Sequence, residues 1–304
     1  MNILIVGGGA IGTTYGSYLS KAADSVTLLV RRDDHANAVN SGPITIHYPD
    51  KTEEYTLKAI TEATADHNFD LIVFCTKVYD LENAFEKARP AVKPDTWVMS
   101  IQNGVQHYDL LQKAFPDNTT IGAISYSGLN RKDDVNITSA GTFRTVIGDN
   151  EGEMDDVLNA LKAVFDKAEM TCDIEVPIKN ALWQKQTLTS MQQALACLTG
   201  NSFGELLASD HCKTIAREVF EEVQAVAKTQ DVNLPDEMCD TVMNNWARIP
   251  THYPSMVADF KGQRRTEIHM ANGYIVELAE KGGIKAPLNK GLYHLILAIE
   301  EART

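Results

Sequence analysis

The chain has 304 residues, a length that suits about two domains with separate hydrophobic cores. Hydrophobic residues make up 44% and charged residues 23%, which is typical of a globular protein in water. The formal net charge of −13 argues against nucleic acid as a partner, because phosphate binding requires clustered Lys and Arg.

Signals for export, membrane insertion and metal binding are missing from the sequence. The apolar runs have the length of strands, and the opening MNILIVGGG lacks the basic start and cleavage site of a secretory signal. The five cysteines form no CxxC pair, and the eight histidines form no HxxxH pair. We therefore predict a cytoplasmic protein with reduced thiols, no membrane partner and no metal.

The first predicted elements are a strand, a glycine-rich turn and a helix, in NILIVGGGAIGTTYGSYL. Gly7, Gly9 and Gly12 match the GxGxxG pattern of dinucleotide-binding domains. In that pattern the first glycine permits a tight turn, the second lets the backbone approach a pyrophosphate, and the third allows close helix–strand packing. The helix that starts at Ala10 and Ile11 would add amides and a positive dipole end, so we predict that both residues contact cofactor phosphates.

The second strand, SVTLLVRRDD, bears on the choice of nicotinamide cofactor. In proteins that select NAD this strand usually ends at an acid that binds the ribose 2′-hydroxyl. Here it ends at Arg31 and Arg32, and a guanidinium suits the 2′-phosphate of NADP. Asp33 and Asp34 follow too late for the usual role. The pattern favours NADP over NAD, and the alternative is an exposed loop of mixed charge.

Polar residues follow the next two predicted β-strands. Lys77 follows the strand in FDLIVFCTKVYD, and Asn103 follows the strand in TWVMSIQNG. Ligands of doubly wound sheets bind outside the carboxyl ends of the strands, so both are candidate ligand-binding residues, although either could be a turn or cap residue. With a late strand in TFRTVIGD, these signals predict an α/β, Rossmann-type doubly wound domain over residues 1–172.

From about Glu151 the alternation of strands and helices stops. Helical patterns over 153–168, 180–200, 205–230, 236–247, 255–281 and 288–302 predict an all-helical C-terminal domain, residues 173–304. A cleft between the two predicted domains would be the natural place for a substrate.

A lysine lies inside NALWQKQTLTSMQQALACLTG, a predicted helix that contains no acid. Lys185 shares its face with Thr189 and with Gln192 or Gln193, which are polar but uncharged. A solvated face would normally carry charges of both signs. Lys185 is therefore either a surface lysine whose stem covers apolar neighbours or a lysine that lines a cleft.

Glu267 raises the same question with the opposite charge. In RRTEIHMANGYIVELAEKGG it would share a helical face with Ala271, Tyr274 and Leu278. A carboxylate in line with an apolar face is costly unless it has a partner. One interpretation is a first-turn acid favoured by the helix dipole. The other is a carboxylate that meets Lys185.

These elements together resemble the ketopantoate reductase (2-dehydropantoate 2-reductase) family over nearly the whole chain. The similar segments are ILIVGGGAIGTTYG, the basic residue Arg31, TKVYD, IQNG, LWQKQTLTS, YPSMVADFKGQRRTEIHMANG and GIKAPLNKGLYHLI. The resemblance implies NADPH-dependent reduction of a 2-oxo acid, with ketopantoate as the leading substrate and pantothenate biosynthesis as the setting. It leaves a homodimer open.

The resemblance also implies a role for each candidate residue. Lys185 would be the catalytic lysine, which donates a proton to the substrate carbonyl oxygen. Glu267 would anchor that lysine or bind a substrate hydroxyl. Ser255 would bind the substrate carboxylate, and Asn103 would lie between cofactor and substrate. Lys77 would add positive charge near the anionic ligands.

Two positions depart from the family pattern, which has asparagines four and eight residues after the lysine. Thr189 and Gln193 occupy these positions, on the stripe expected to bind the substrate. An amide that pairs with a substrate hydroxyl can carry large discrimination. The reaction therefore carries over better than the substrate. The alternatives are another 2-oxo acid on the same scaffold, or a non-catalytic NADP(H)-binding sensor that needs only the glycine turn and Arg31.

Overall fold

Two units make up the chain in the computed structural model, which describes residues 1–303 apart from the side chain at position 142. Unit 1 comprises residues 1–102 and 106–178, and unit 2 comprises residues 103–105 and the chain from Lys179 onward. The division falls between Ile178 and Lys179 rather than after residue 172, because the strand Thr171–Ile174 pairs with the sheet of unit 1.

Unit 1 is built on a mixed sheet. Its ten strands among the described residues are β1 (Asn2–Val6), β2 (Ser25–Leu29), β3 (Ile44–His47), β4 (Thr52–Tyr55), β5 (Lys58–Ile60), β6 (Leu71–Phe74), β7 (Trp97–Ile101), β8 (Thr120–Arg131), β9 (Asn136–Gly148) and β10 (Thr171–Ile174). The spatial order is β4-β3-β9-β8-β7-β6-β1-β2-β5, with β10 beside β9. Strands β8 to β5 along this path are parallel, whereas β8 with β9 and β3 with β4 are antiparallel.

The parallel part of the sheet has the predicted doubly wound topology. The chain adds β2 on one side of β1 and β6 on the other, so the winding reverses at β1, which is where such folds bind ligands. The helices of unit 1 are α1 (Ala10–Leu19), α2 (Asp33–Ser41), α3 (Leu81–Ala88), α4 (Gln106–Ala114) and α5 (Asp155–Lys167). The Rossmann-type fold predicted from the sequence is confirmed.

The core of unit 1 surrounds β1 and α1. Ile3, Leu4 and Ile5 of β1 are fully buried, as expected for a strand covered on both faces. Tyr15 of α1 is also fully buried, and its hydroxyl lies 2.7 Å from the hydroxyl of Thr145. The Tyr15 hydroxyl therefore has a hydrogen-bond partner, which offsets most of the free-energy cost of burying it.

Helices joined by turns and loops, with no strand, make up the described part of unit 2 from Lys179 onward, as predicted. Its helices are α6 (Ile178–Thr199), α7 (Phe203–Ala208), α8 (Asp210–Lys228), α9 (Met238–Arg248), α10 (Met256–Lys261), α11 (Tyr274–Gly282) and α12 (Pro287–Glu301). A π-helical turn, His269–Gly273, precedes α11.

Two long helices predicted from the sequence are broken in the structure. The pattern over 205–230 forms α7 and α8, because Ser209 has extended backbone and its hydroxyl accepts a hydrogen bond from the Cys212 amide, which starts a new helix. The pattern over 255–281 breaks after α10, where Gln263 has a φ of 54°. The predicted face of Glu267 was therefore wrong: Glu267 precedes the π-helical turn, and Ala271 has a non-helical ψ of −106°.

The described residues contain no helix long and apolar enough to cross a membrane. They also contain no group of three or more His, Cys, Asp or Glu side chains arranged to hold a metal ion. The five cysteines are free and buried.

Helix α8 holds the start of α12 through one carboxylate. The Leu288 and Asn289 amides each donate to Glu222 at 2.9 Å, and the Asn289 side chain donates to it at 2.8 Å. Ala286, at the N-cap of α12, has no side-chain oxygen to accept these amides. The Glu222 carboxylate thus satisfies first-turn amides and complements the positive end of the helix dipole.

We expect Glu222→Gln to lower the free energy of unfolding by about 1–3 kcal/mol, because the carboxamide loses the charge and one acceptor oxygen. Urea denaturation measures this difference. The exposed neighbour on the same helix provides the control, and Glu221→Gln should change stability by less than about 0.5 kcal/mol. Equal losses in the two variants would contradict the assignment.

Candidate active site

The turn from β1 into α1 has the shape that a pyrophosphate requires. Gly7 has a φ of +112°, a conformation that favours glycine. A Cβ at Gly12 would overlap the carbonyl oxygen of Gly7, so the close approach of helix and strand also requires glycine there. A Cβ at Gly9 would meet no described atom within 4 Å, so the space beside this residue is open to a ligand.

A nicotinamide dinucleotide fits this turn. Gly9 is the N-cap of α1, and among the described residues no side chain caps the helix. The amides of Ala10 and Ile11 belong to the first turn, where a helix provides no carbonyl partner for its N–H groups. These amides and the helix dipole favour a bound phosphate. The residues present would therefore hold the phosphates of NADPH.

Both arginines after β2 are exposed and lie near a carboxylate, but the two ion pairs differ in distance. Arg32 donates to both carboxylate oxygens of Asp134, at 2.8 and 2.7 Å. Arg31 is 72% exposed, and its guanidinium lies 3.6 Å from the carboxylate of Asp80, so solvent weakens this ion pair. Of the two arginines, Arg31 is therefore the candidate for a 2′-phosphate.

A histidine that sequence reasoning missed lies against the glycine turn. A Cβ at Gly8 would overlap the ring of His35, so this glycine is needed for the ring to pack there. Burial, with Arg131 and Arg32 nearby, lowers the pKa of His35 to about 4, so the imidazole is neutral at pH 7. Its Nε2 has no hydrogen-bond partner among the described residues.

Lys77 comes directly after a residue that lies beside the same turn. It is half-buried and follows β6 by three residues. Thr76, its neighbour, contacts the glycine turn, since a Cβ at Gly7 would lie 3.0 Å from the Thr76 methyl carbon. Lys77 therefore follows the end of a strand that reaches the glycine turn, and its role in binding cofactor phosphates stays a prediction.

A cavity in unit 2 brings together four of the predicted site residues. Asn103, Thr189, Gln193 and Glu267 line it, and the remaining lining residues are Gly104, Met256, Met270 and Ala271. Its empty volume is about 250 Å³, including the part open to solvent. Sequence reasoning missed the two methionines, because an apolar residue inside a helical pattern gives no signal of a ligand.

Gln193 holds the start of α10 with both ends of its carboxamide. Its Nε2 donates to the hydroxyl of Ser255 at 3.0 Å, and its Oε1 accepts from the amide of Met256 at 2.8 Å. Because the Met256 amide can only donate, this bond fixes which end of the carboxamide points toward Ser255. Ser255 is thereby held next to a residue that lines the cavity.

Thr189 uses its hydroxyl inside its own helix. The hydroxyl donates to the carbonyl oxygen of Gln186 at 2.9 Å. Threonine in a helix commonly bonds a carbonyl of the preceding turn in this way. Its donor is therefore occupied, although Thr189 lines the cavity.

Lys185 lies one helical turn before Thr189 on α6, and the two residues share a face. Lys185 is half-buried and lies outside the set of residues that line the cavity. Burial lowers the pKa of its ammonium group to about 8. A buried or partly buried amine loses part of its hydration, which disfavours the charged form.

Hydrogen bonds connect the neighbourhood of Lys185 to that of Glu267. Gln186, next to the lysine, donates to the Ala271 carbonyl at 2.8 Å, and the Ala271 amide donates to the Glu267 carbonyl at 3.1 Å. These bonds bring the two backbone segments together. The direct meeting of the Lys185 and Glu267 side chains stays a prediction.

A second link between α6 and the π-helical turn runs through Asn272, which is fully buried. Its side chain donates to the Ser190 carbonyl at 3.0 Å and to the Asn289 side chain at 2.9 Å. The sequence did not indicate a role for Gln186, and Asn272 was named only within the segments that resemble the family. A glutamine or asparagine that joins two buried segments looks the same in the sequence as one on the surface.

Comparison with known proteins defines first the class and then the family. The matching family and the named relatives are nicotinamide-dependent oxidoreductases, and the fold and the glycine turn agree with that class. Residues 3–152 match the family model described as ketopantoate reductase PanE/ApbA, and residues 177–300 match the model of its C-terminal part. The chain belongs to the ketopantoate reductase family and is an NADPH-dependent enzyme that reduces 2-oxo acids.

Individual relatives extend over almost the whole chain. A 2-dehydropantoate 2-reductase of Pyrococcus horikoshii is 29% identical over 304 residues, 99% of this chain and 98% of the relative. The structure of a PanE/ApbA family ketopantoate reductase from Ralstonia eutropha has a TM-score of 0.91 at 27% identity, covering 100% and 99% of the two chains. A D-mandelate dehydrogenase with NADH and anilino(oxo)acetate shares the fold, with a TM-score of 0.94 at 22% identity and coverage of 100% and 99%.

Replacing Arg31 by alanine should raise the Kd for NADPH and leave the Kd for NADH nearly unchanged. A hydrogen bond to a charged group is worth about 1.5–3 kcal/mol, or roughly 10- to 150-fold in affinity. Fluorescence titration measures both constants. Arg32→Ala is the matched control, because that guanidinium is bound to Asp134 and should not distinguish the two cofactors. Equal losses for NADPH and NADH in Arg31→Ala would show that Arg31 does not recognise the 2′-phosphate.

Proposed function

We propose that the protein reduces ketopantoate (4-hydroxy-3,3-dimethyl-2-oxobutanoate) to pantoate with NADPH. The observation that carries the proposal is a half-buried lysine one helical turn from a cavity lined by a carboxylate and two amides. The family to which the chain belongs and the activity named for the Pyrococcus relative support this choice of substrate.

Lys185 would act as the general acid. When bound, NADPH supplies a hydride to the carbonyl carbon, so negative charge develops on the carbonyl oxygen. The Lys185 ammonium would stabilise that charge and donate its proton to the oxygen, which completes the hydroxyl group of the product. A pKa of about 8 keeps most of the lysine protonated at pH 7, yet makes it a stronger acid than an ordinary lysine.

Ser255 and Glu267 would orient the reactants. The Ser255 oxygen accepts its hydrogen bond from Gln193, so its own proton can point to a substrate carboxylate. Glu267 lines the cavity and would hold the Lys185 ammonium in position. Asn103, from the segment that follows β7, would bind between substrate and cofactor.

The setting that we propose is the cytoplasm, with the protein as a homodimer. Size-exclusion chromatography with light scattering distinguishes the dimer from the monomer. Loss of NADPH absorbance at about 340 nm, with and without ketopantoate, tests the activity itself. No NADPH oxidation with ketopantoate or with a panel of other 2-oxo acids would favour the NADP(H)-binding sensor.

The variant Lys185→Ala should lower kcat by about 10²–10⁴-fold, the range for one general acid, and leave the Kd for NADPH close to wild type. Lys185→Arg should restore little, because a guanidinium stays charged but hardly releases its proton in a protein. Lys213→Ala, on helix α8, is the control and should keep kcat near wild type. Near-wild-type turnover in Lys185→Ala would contradict the mechanism and support a surface lysine that only covers apolar neighbours.

The pH dependence of reduction should follow the lowered pKa of Lys185. The protonated form is the acid, so kcat/KM should be flat below about pH 7 and fall up to tenfold per pH unit above about 8. An ordinary lysine, with a pKa of 10.5, would place this fall more than two units higher. Oxidation of the 2-hydroxy acid should rise over the same range, because it needs the neutral amine. A kcat/KM for reduction that stays constant to pH 9.5 would contradict this assignment.

A further inference from the structure

Arg31 and Asp80 follow the two strands that flank β1. Strand β2, which precedes Arg31, pairs with one side of β1, and β6 pairs with the other side. Asp80 belongs to a short 3₁₀ turn, Val78–Asp80, that comes after β6. The Arg31 guanidinium lies 3.6 Å from the Asp80 carboxylate. This ion pair therefore joins the segments on either side of the glycine turn, at the carboxyl end of β1.

A 2′-phosphate that binds Arg31 has to approach the guanidinium that Asp80 already contacts. In dinucleotide-binding folds the pyrophosphate lies at the glycine turn, and the residue at the end of the second strand contacts the ribose 2′ position. A phosphate monoester carries a charge of about −1.5 to −2 at pH 7. The Asp80 carboxylate therefore offsets part of the positive charge of Arg31 and also repels the incoming phosphate.

The exposure of the two side chains lets the ion pair open when a ligand arrives. Arg31 is 72% exposed and Asp80 is 35% exposed, so water replaces much of the attraction between them. The neighbouring arginine does not relieve the competition, because the Arg32 guanidinium lies 2.7 Å from Asp134 and 3.3 Å from Asp34. The affinity for a 2′-phosphate thus depends on how strongly Asp80 holds Arg31.

We propose that Asp80 is a specificity-determining residue that limits the preference of this enzyme for NADPH over NADH. The carboxylate competes with the 2′-phosphate of NADPH for Arg31. NADH has an uncharged hydroxyl at the same position of the ribose, so this competition leaves its binding nearly unaffected. The inference concerns the cofactor and does not depend on which 2-oxo acid is reduced.

The variant Asp80→Asn keeps the shape of the side chain and removes its charge. The Kd for NADPH should fall by about 2- to 10-fold, because an exposed ion pair no longer opposes binding and the repulsion of the phosphate is lost. The Kd for NADH should stay nearly unchanged. Fluorescence titration of the full chain without substrate measures both constants. Glu82→Gln is the matched control, since it removes the same charge from an exposed acid two residues further along, at the start of α3.

An Arg31→Ala background tests whether the effect acts through that guanidinium. Asp80→Asn should lower the Kd for NADPH less in this background than in the wild-type enzyme, and an equal gain in both overturns the inference. An unchanged Kd for NADPH also overturns it, as does a higher one, which would show that Asp80 positions Arg31 for the phosphate. Equal changes for NADPH and NADH, or an equal gain in Glu82→Gln, would reveal only a general effect of charge and overturn it too. The titrations contain no 2-oxo acid, so none of these results decides whether ketopantoate is reduced.

Discussion

The cavity of unit 2 lies where hydrogen bonds join the middle of α6 to the π-helical turn. Gln186 donates to the Ala271 carbonyl, and Asn272 donates to the Ser190 carbonyl. The backbone of Ala271 leaves helical geometry, which is common where a π-helical turn serves a functional site. Both donors are uncharged carboxamides. Burial lowers the pKa of Lys185, which lies next to Gln186.

The candidate sites of the two units are formed in different ways. In unit 1 the backbone itself forms the site: a positive φ at Gly7, an overlap that only glycine avoids at Gly12, and open space beside Gly9. In unit 2 the site is made of side chains whose positions depend on distant partners. A backbone site tolerates little change of sequence, whereas a side-chain site can be altered one residue at a time without loss of the fold.

The sequence predicted the backbone turn of unit 1 better than the side-chain arrangement of unit 2. The glycine turn was predictable because its constraints act over a few neighbouring residues, and so was the burial of strands between helices. The helical pattern over 255–281 was misleading, because periodicity does not reveal that Gln263 adopts a left-handed backbone or that Ala271 departs from the helix. The clasp between Gln193 and Ser255 joins residues 62 apart in the chain, and no local pattern predicts such a pair. Periodicity placed Gln192 or Gln193 on the face of Lys185, and the resemblance named Ser255, but neither indicated that Gln193 and Ser255 are bonded; the lining methionines were not found at all.

The clasp also affects how the specificity of the enzyme could change during evolution. One carboxamide holds both Ser255, to which we assign the carboxylate of a 2-oxo acid, and the backbone of Met256, which lines the cavity. A substitution at Gln193 would therefore change the positions of Ser255 and Met256 together, and its effect would not add simply to that of a substitution at either residue. The side chains of Met256 and Met270 are not coupled in this way to the carboxylate. Substitutions that change the size of these two side chains would therefore be the simplest route to a different substrate range. They would leave Lys185 in place.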